Sequence, residues 1–433
     1  MSACIINQEL IVTTMSTFQV NLHEAIHSLS DALDLVGVDH IHHGKRVAFM
    51  AAECGKILGW TGAQLDDLFQ ASILHDSGVS KTAVHAKLAQ LQWELETEHC
   101  ELGANLLGSS ALLRHLAPIV RYHHTHWVDL QALDLPEMVK LSANCIYMVD
   151  RVDVLTLQYT ATNTDILLGK DAIQQTIWEH RGDWFAPALV DAFMAASSTE
   201  AFWFMLENNH VNGYATTWLA HTQKRPMVFE ELSSLMRIFS SIVDAKSTFT
   251  REHSEGVASL ARYLGETMQL NEFSCDQLEL AGLLHDIGKL RVPDELLEKR
   301  GLLTDVERRT MSRHSFDTYN ILSMIKGMEE VTLWASQHHE RLNGSGYPYH
   351  IEADSISLEA RIVAVADVFQ ALAQRRPYRD AMTPQAILDI LQTQAQDKLL
   401  DARVVACVAN NLERCWAAAF PGKHATLETA AQT

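Results

Sequence analysis

The two halves of this chain repeat one pattern of histidine and aspartate residues. The distance between matching residues is 210 positions at the start of the pattern, as between His43 and His253, and 217 at its end, as between Asp150 and Asp367. The matches in between join His75 and Asp76 with His285 and Asp286, His99 with His314, and His123 and His124 with His338 and His339. An offset that drifts this slowly is expected when only loop lengths change, so the sequence predicts two copies of one fold.

Apolar residues in both copies recur at the spacing of a helix rather than of a strand. In HSEGVASLARYLGETM they fall at i, i+3, i+4 and i+7 from Val257, and HGKRVAFMAAECGKIL repeats this spacing from Val47. The 433 residues include only nine prolines, which agrees with long helices. We therefore predict an all-α fold made of two tandem helical domains.

A polar and basic run, HTQKRP, separates the two helical blocks and predicts a domain boundary. We assign residues 1–222 to the first domain and residues 223–433 to the second. Pro136 and the pair Asn212-Gly213 are weaker candidates for breaks between helices.

The composition limits the partners that this chain can have. It carries 34 basic and 54 acidic residues, a formal net charge of -20, which argues against non-specific binding to nucleic acid polymers or to anionic membranes. An anionic ligand would therefore need a locally positive site. The seven cysteines are odd in number and never spaced as C-x-x-C, which predicts a reduced protein without a disulfide framework or a thiolate zinc site. The N-terminal segment lacks the basic start of a leader peptide, so we expect a cytoplasmic location.

Each repeat offers five imidazoles and two carboxylates at the matched positions, and no thiol. Imidazole nitrogen and carboxylate oxygen together suit first-row metals such as iron, manganese or zinc. Seven ligands exceed what one tetrahedral ion can use, so two ions that share a carboxylate are indicated, with Asp286 as the natural bridge. Two such ions can clamp a phosphoryl group, and Lys289, one turn after His285, would add a positive charge near it.

The C-terminal half, from about residue 230 to 420, resembles the HD-GYP family of cyclic-dinucleotide phosphodiesterases, a branch of the HD-domain metal-dependent phosphohydrolases. The stretches that carry the resemblance, in the order in which they occur, are FTREHSEGVASLA, LLHDIGKLRVPDELLEKRGLLTDVE, HHERLNGSGYP, EARIVAVADVFQAL and RRPYR. Their order and spacing match the family as well as their letters do.

The resemblance implies a compact helical domain that hydrolyses a 3',5' phosphodiester in a bacterial second messenger. The expected substrate is cyclic di-GMP or 3',3'-cyclic GMP-AMP, and the expected cofactors are two divalent ions, iron or manganese. The metal ligands implied are His253, His285, Asp286, His314, His338, His339 and Asp367. Asp286 and Lys289 are implied as catalytic residues, and the substrate is expected to contact Lys289, Arg341, Asn343, Gly346, Tyr347 and Pro348. A homodimer or a signalling-protein partner is a further expectation.

Three positions depart from the family pattern. Phe249 stands where members with a third metal carry a glutamate, which predicts two metals. Asn343 and Gln370 each replace a usual aspartate; neither substitution is expected to remove a metal ligand, and both bear on substrate preference.

The N-terminal half resembles an HD domain without the Gly-Tyr-Pro loop. Val79 replaces the lysine, and HHTHWVDLQALDLPEM replaces HHERLNGSGYP. Its matched residues, a second and degenerate candidate metal site, are His43, His75, Asp76, His99, His123, His124 and Asp150. We interpret this half as a regulatory or structural copy, either loaded with metal or retaining its histidines for packing alone.

Two rival functions remain open at the level of sequence. One is a phosphohydrolase on other nucleotides, as in other HD branches, against which the intact Gly-Tyr-Pro loop argues. The other is a signalling adaptor that binds a cyclic dinucleotide without turnover. Fold alone does not separate these possibilities.

Overall fold

The computed structural model describes residues 16–36, 42–80, 97–160, 165–220, 225–246, 253–375 and 380–421. Over these ranges the chain is helical apart from one two-stranded sheet and short connections, which confirms the prediction of tandem all-α domains. No helix within the same ranges is both long and apolar enough to cross a lipid bilayer.

Strand β1 (Thr17–Val20) opens the described part of the N-terminal half. The helices that follow are α1 (Leu22–Leu33), α2 (His43–Ile57), α3 (Gly62–Leu74), α4 (Glu98–Gly108), α5 (Ala117–Arg121), α6 (Trp127–Ala132), α7 (Glu137–Thr160), a 3-10 turn (Ile166–Leu168), α8 (Lys170–Glu179), α9 (Pro187–Ala196), α10 (Glu200–Phe204) and α11 (Asn208–Ala220). Polar caps set several of these starts: the Asn21 side chain accepts from the backbone of α1, and Thr61 and Gln64 form a capping box on α3.

Strand β2 (Arg225–Val228) opens the described part of the C-terminal half. The elements that follow are α12 (Phe229–Lys246), α13 (His253–Thr267), α14 (Glu272–Leu284), a 3-10 turn (Ile287–Arg291), α15 (Asp294–Leu297), α16 (Asp305–Leu322), α17 (Glu329–Ser336), a 3-10 turn (Ala353–Ser355), α18 (Leu358–Ala373), α19 (Pro384–Gln396), α20 (Ala402–Asn410) and α21 (Leu412–Ala418). A capping box of Thr304 and Glu307 begins α16.

The two halves share one packing scheme. Helix α2 packs against α3, α7 and α9, and its counterpart α13 packs against α14, α18 and α20. Helices α4 and α5 pair as α16 and α17 do. Val47 and Val257, which start the matched apolar stripes, are both fully buried. The internal repeat predicted from the histidine spacing is therefore a structural repeat.

The halves meet through their first elements. Strands β1 and β2 pair antiparallel, with Phe18 opposite Met227. Helix α1 packs against α16 of the other half, where the Ser28 hydroxyl donates to the carbonyl oxygen of Ile321 at 2.7 Å. In the matching contact α12 packs against α4. Each half thus packs one of its helices against the other half, and the two contacts are related by approximate two-fold symmetry.

Lys246, at the end of α12, links the two halves near both histidine clusters. Its ammonium group lies 3.5 Å from the carbonyl oxygen of Ser80 in the N-terminal half and 3.1 Å from the Asp294 carboxylate in the C-terminal half. The side chain is 1% exposed, so its charge depends on such partners.

The predicted breaks had different outcomes. Pro136 lies between α6 and α7, whereas the pair Asn212-Gly213 lies inside α11, so the prediction of a break there was wrong. Val211 and Ala215 are fully buried, and α11 packs against α2, so burial of an apolar face outweighs the weak helix propensity of the pair. The boundary between residues 222 and 223 lies outside the described residues and stays a prediction.

One glycine in each half, just after the His-Asp pair, allows a helix to approach closely. Gly288 allows the approach of α16, and Gly78 allows the approach of α4. A Cβ at Gly288 would lie 2.0 Å from the carbonyl oxygen of His314, and a Cβ at Gly78 would lie 2.0 Å from that of His99. Neither position has room for a methyl group.

We predict that Gly288→Ala lowers the free energy of unfolding by about 1 to 3 kcal/mol, because the methyl group forces α16 away from the loop. Gly301→Ala is the control, since no atom lies within 4 Å of a Cβ there. Denaturant unfolding of both variants measures the difference. Equal stabilities would contradict the close approach of α16.

Candidate active site

The seven histidine and aspartate residues of the C-terminal half come from five elements and converge on one point. His253 begins α13, His285 and Asp286 directly follow α14, and Asp367 lies in α18. His314 lies in α16, and the pair His338-His339 follows α17. Helix α14 ends in the buried residues Leu283 and Leu284, so the polar pair that follows is carried into the interior.

Asp286 lies between two groups of imidazoles. Its Oδ2 is 3.2 Å from His285 Nε2 and 3.7 Å from His253 Nε2, and Asp367 Oδ1 is 3.3 Å from the same His253 atom. These atoms form the first group.

The second group gathers at the other oxygen of Asp286. Its Oδ1 is 3.5 Å from His314 Nε2 and 3.8 Å from His338 Nε2. His339 completes this group, because its ring nitrogen lies within 4.8 Å of those of His314 and His338. One carboxylate therefore faces both groups, as a bridging ligand would.

Backbone and side-chain acceptors fix the direction of the imidazoles. The Nδ1–H groups of His285, His314 and His338 donate to backbone carbonyl oxygens three residues earlier, at 2.6 to 2.8 Å. His253 Nδ1 donates to Gln370 Oε1 at 2.6 Å. With Nδ1 carrying the proton, each Nε2 lone pair points at the centre, which is how metal-binding histidines are oriented in proteins.

The donor set fits divalent transition metals. Among the described residues, Asp286 Oδ1 is buried and accepts no hydrogen bond, an arrangement that costs free energy unless a ligand satisfies it. Burial lowers the pKa of His314 to about 4 and that of His338 to about 3, so both rings are neutral at pH 7. Neutral imidazole nitrogens and ionised carboxylates are the forms that bind such ions.

Lys289 lies beside the bridging carboxylate. Its Nζ is 2.5 Å from Asp286 Oδ2. Burial alone would raise the pKa of Asp286, but the charges of His285 and Lys289 hold that pKa well below its usual range. Lys289 thus brings a fixed positive charge to the edge of the cluster.

The loop of residues 341–348 folds back over the second group. Glu340, 3% exposed, accepts from the backbone N–H groups of Tyr349 at 2.7 Å and Ile351 at 3.2 Å, and so holds the end of the loop. Gly346 allows the closure, because a Cβ there would lie 2.4 Å from the backbone of Glu340. The Tyr347 ring lies 4.8 Å from that of His339. The peptide bond between Tyr347 and Pro348 is cis.

Asn343 and Arg341, two further loop residues predicted to bind substrate, differ in their hydrogen bonds. Asn343 Oδ1 accepts from the backbone N–H of Ser345 at 3.1 Å, so this amide shapes the loop itself. The Arg341 Nη1 atom is buried and has no hydrogen-bond partner among the described residues. Arg341 therefore has donor capacity left for a ligand.

A basic cavity beside His314 was missed by the sequence analysis. It has a volume of about 390 Å³ and is lined by Arg291, Arg309 and Arg313, with Asp317 at its base. The Asp317 carboxylate accepts from Arg291 at 3.0 Å and lies 3.3 Å from Arg313. The available signal was the spacing of Arg309 and Arg313, one helical turn apart and directly before a ligand histidine.

The N-terminal residues converge in the same arrangement. Asp76 Oδ2 lies 3.7 Å from His43 Nε2 and 3.5 Å from His75 Nε2, and its Oδ1 lies 3.7 Å from His99 Nε2. Asp150 Oδ1 is 3.3 Å from His43 Nε2. His123 and His124 complete the second group together with His99, and this group also contains the thiol of Cys100. Both groups of the C-terminal site therefore have a counterpart here.

The N-terminal cluster differs from the C-terminal one in its surroundings. A cavity at the first group has a volume of only about 20 Å³, room for a water or an ion, and Val79 lines it where the other half has Lys289. The Tyr147 ring, from α7, lies 5.4 Å from the His124 ring, much as Tyr347 lies against His339.

Comparison with known proteins places this architecture in a class. Two family models described as HD domain match residues 41–155 and residues 237–404. The chain is 35% identical over 402 residues to 3'3'-cGAMP-specific phosphodiesterase 1 of Vibrio cholerae, covering 92% of this chain and 93% of the relative. Over 178 residues, 41% of this chain and 46% of the relative, it is 40% identical to the cyclic di-GMP phosphodiesterase response regulator RpfG of Xanthomonas campestris.

A solved structure supports the fold. The crystal structure of a cyclic GMP-AMP specific phosphodiesterase of Vibrio cholerae, V-cGAP3, covers 92% of this chain and 98% of its own with a TM-score of 0.61 at 23% identity. Tandem HD domains with these histidine clusters define metal-dependent phosphohydrolases. The chain belongs to the HD-GYP family of cyclic-dinucleotide phosphodiesterases. Phe249, on which the prediction of two rather than three metals depends, lies outside the described residues.

The contact of Gln370 with His253 gives a testable prediction. Gln370→Leu removes the acceptor that orients His253 and should weaken metal binding by about 10- to 100-fold, as loss of such outer partners usually does. Metal titration of the chelator-treated protein measures the affinity. Gln396→Leu, at an exposed position in α19, should leave the affinity unchanged, and equal losses in the two variants would contradict the orienting role.

Proposed function

We propose that this protein hydrolyses 3',3'-cyclic GMP-AMP at its C-terminal site, with two divalent ions, iron or manganese, held by the seven histidine and aspartate residues of that half. The observation that carries the proposal is Asp286, whose two oxygens face two separate imidazole groups. The substrate is inferred from the relative that matches 92% of the chain and is named for specificity towards 3'3'-cGAMP. Relatives that match shorter parts of the chain are named either for cyclic di-GMP or for 3'3'-cGAMP.

The donor set supports the metal assignment. His253, His285 and Asp367 would hold one ion, His314, His338 and His339 the other, and Asp286 both. Imidazole and carboxylate donors together suit iron and manganese, and the resemblance to the family favours these two. When bound, such ions supply Lewis-acid activation of water and of the phosphoryl group.

The reaction is the opening of one phosphodiester of the ring. A water oxygen adds to phosphorus, the bond from phosphorus to the 3' oxygen breaks, and the leaving oxygen takes up a proton, so the product is a linear dinucleotide. Charge accumulates on the phosphoryl oxygens in the transition state, and the Lys289 ammonium beside Asp286 is suited to stabilise it. Burial raises the pKa of Tyr347, so its hydroxyl keeps its proton and can donate to a substrate oxygen.

The remaining phosphate and the bases need binding groups away from the clusters. The cavity lined by Arg291, Arg309 and Arg313 opens beside His314 and provides positive charge in a protein whose net charge is -20. Guanidinium groups bind phosphate and the edge of guanine through paired hydrogen bonds. Together with Arg341 Nη1, this cavity is the second part of the proposed substrate site.

The first test is turnover measured by chromatography. The reduced, metal-loaded protein is incubated with 3',3'-cyclic GMP-AMP, cyclic di-GMP and cyclic di-AMP, next to Asp286→Ala and Asp76→Ala. We expect hydrolysis of 3',3'-cyclic GMP-AMP to be strongest, to be lost in Asp286→Ala and to persist in Asp76→Ala.

The outcomes separate the two parts of this proposal. Preference for cyclic di-GMP would overturn the substrate and leave the reaction class intact. Absence of turnover with all three compounds would overturn the hydrolytic role of the C-terminal site and favour a binding role.

The basic cavity gives a second prediction. The double variant Arg309→Ala/Arg313→Ala should raise KM by at least roughly tenfold, because a hydrogen bond to a charged group contributes about 1.5 to 3 kcal/mol. The value of kcat should change less than KM, since neither arginine belongs to the metal clusters. Arg308→Ala, on the same helix but outside the cavity, is the matched control, and the same KM for both variants would contradict a substrate role for the cavity.

A further inference from the structure

The second imidazole group of the N-terminal half differs from its C-terminal counterpart by one thiol. Cys100 follows His99 on α4 and is 1% exposed. Its Sγ lies 3.5 Å from His99 Nε2 and 3.9 Å from His123 Nε2. With His124, these residues give four donor atoms that all lie within 4.8 Å of one another.

The spacing of three of these donors, those of His99, Cys100 and His123, fits a tetrahedral ion. With Zn–N bonds of about 2.0 to 2.1 Å and Zn–S bonds of about 2.3 Å, a tetrahedron requires nitrogen atoms roughly 3.3 Å apart and sulfur roughly 3.6 Å from each nitrogen. His99 Nε2 and His123 Nε2 are 3.3 Å apart, and the two measured distances from Cys100 Sγ are 3.5 and 3.9 Å. His123 Nδ1 donates to the Val120 carbonyl oxygen at 2.6 Å, which leaves its Nε2 lone pair for the centre.

The C-terminal half carries a hydroxyl at the same place. Ser315 follows His314 as Cys100 follows His99, and its Oγ lies 3.4 Å from His314 Nε2. A neutral hydroxyl is a weak ligand, whereas a thiolate is a strong one that favours soft ions such as zinc. The two halves therefore offer different donor sets for different ions.

The first imidazole group of the N-terminal half is altered in the opposite direction. Arg151 is buried, and its Nη2 lies 2.5 Å from Asp150 Oδ2, so a fixed positive charge occupies one oxygen of that ligand. The counterpart residue next to Asp367 is Val368, which carries no charge. Arg151 thus occupies one oxygen of Asp150, whereas in the C-terminal half the cation, Lys289, contacts the central aspartate instead.

We propose that the N-terminal domain holds a single zinc ion through His99, Cys100, His123 and His124, and that this ion is structural. Four protein ligands leave no open position for water or substrate, which distinguishes structural from catalytic zinc sites. Tyr147 packs against His124 on one side of this group, with the two rings 5.4 Å apart. The cysteine spacing predicted no thiolate zinc site, because a single cysteine among histidines has no C-x-x-C signature. This site goes beyond the proposed hydrolysis and does not depend on it.

The test uses the spectrum of cobalt in the full-length protein. The chelator-treated, reduced protein is titrated with Co²⁺, and the thiolate-to-cobalt charge-transfer band in the near ultraviolet is recorded. The band requires a cysteine ligand, so ions bound in the C-terminal half do not contribute to it. We expect the band to saturate at one ion per chain, to be abolished by added Zn²⁺, and to be absent from Cys100→Ser.

Two controls make the result specific. Ser315→Ala changes the matching position of the other half, and Cys275→Ser removes a buried cysteine near the start of α14 that belongs to neither cluster; both should keep the band. Cys100→Ser should also lower the zinc content by one ion per chain and weaken zinc binding by at least about tenfold.

The unmodified protein alone can overturn the proposal. Absence of the charge-transfer band at saturating cobalt would refute a thiolate ligand whether or not Cys100→Ser folds. A band that survives in a folded Cys100→Ser would assign the thiolate to another cysteine and refute the site. Circular dichroism of each variant establishes that it is folded.

Discussion

A carboxylate buried among imidazoles is the constraint on which the rest of this structure depends. Asp286 is 2% exposed and ionised, and an isolated charge in such a place would cost many kcal/mol. The charge is tolerated because five helices place histidines and a lysine next to its two oxygens, where cations can also bind. The convergence of these side chains on Asp286 depends on the short link after α14. It also depends on Gly288, which allows α16 to approach closely. Packing and chemistry are therefore not separable at this centre.

The same frame appears twice, and its duplication separates what the fold requires from what catalysis requires. Both halves keep the glycine that allows the close approach of α4 or α16, the backbone carbonyl oxygens that accept from histidine Nδ1, and the central aspartate. They differ in the groups around that frame: Lys289 against Val79, and the 341–348 loop against α6. The parts that differ are those that would contact an anionic substrate.

The sequence was sufficient to predict the helical class, the tandem repeat and the residues that converge. These follow from period and spacing, which are local properties of the chain. Cys100 was not predicted as a possible ligand. Residues adjacent on a helix point in different directions, so Cys100 reaches the same centre as His99 only through the tertiary packing of α4. Arg151 was missed for the same reason. The pair Asn212-Gly213 predicted a break because its weak helix propensity is a local property of the sequence. The burial of Val211 and Ala215, which overrides that propensity, depends on tertiary packing.

The pairing of β1 with β2 and the exchange of α1 and α12 have a consequence for how the two copies can differ. In a symmetric dimer of identical chains every substitution appears on both sides of the interface, so a change that closes one site closes its twin. Here both partners are encoded in one chain and each position exists once. One copy can lose the lysine beside its central aspartate and gain an arginine or a thiol while the other keeps its lysine and its basic cavity. Covalent linkage also makes the pairing independent of protein concentration. The fused pair is therefore free to be asymmetric in chemistry while remaining symmetric in architecture.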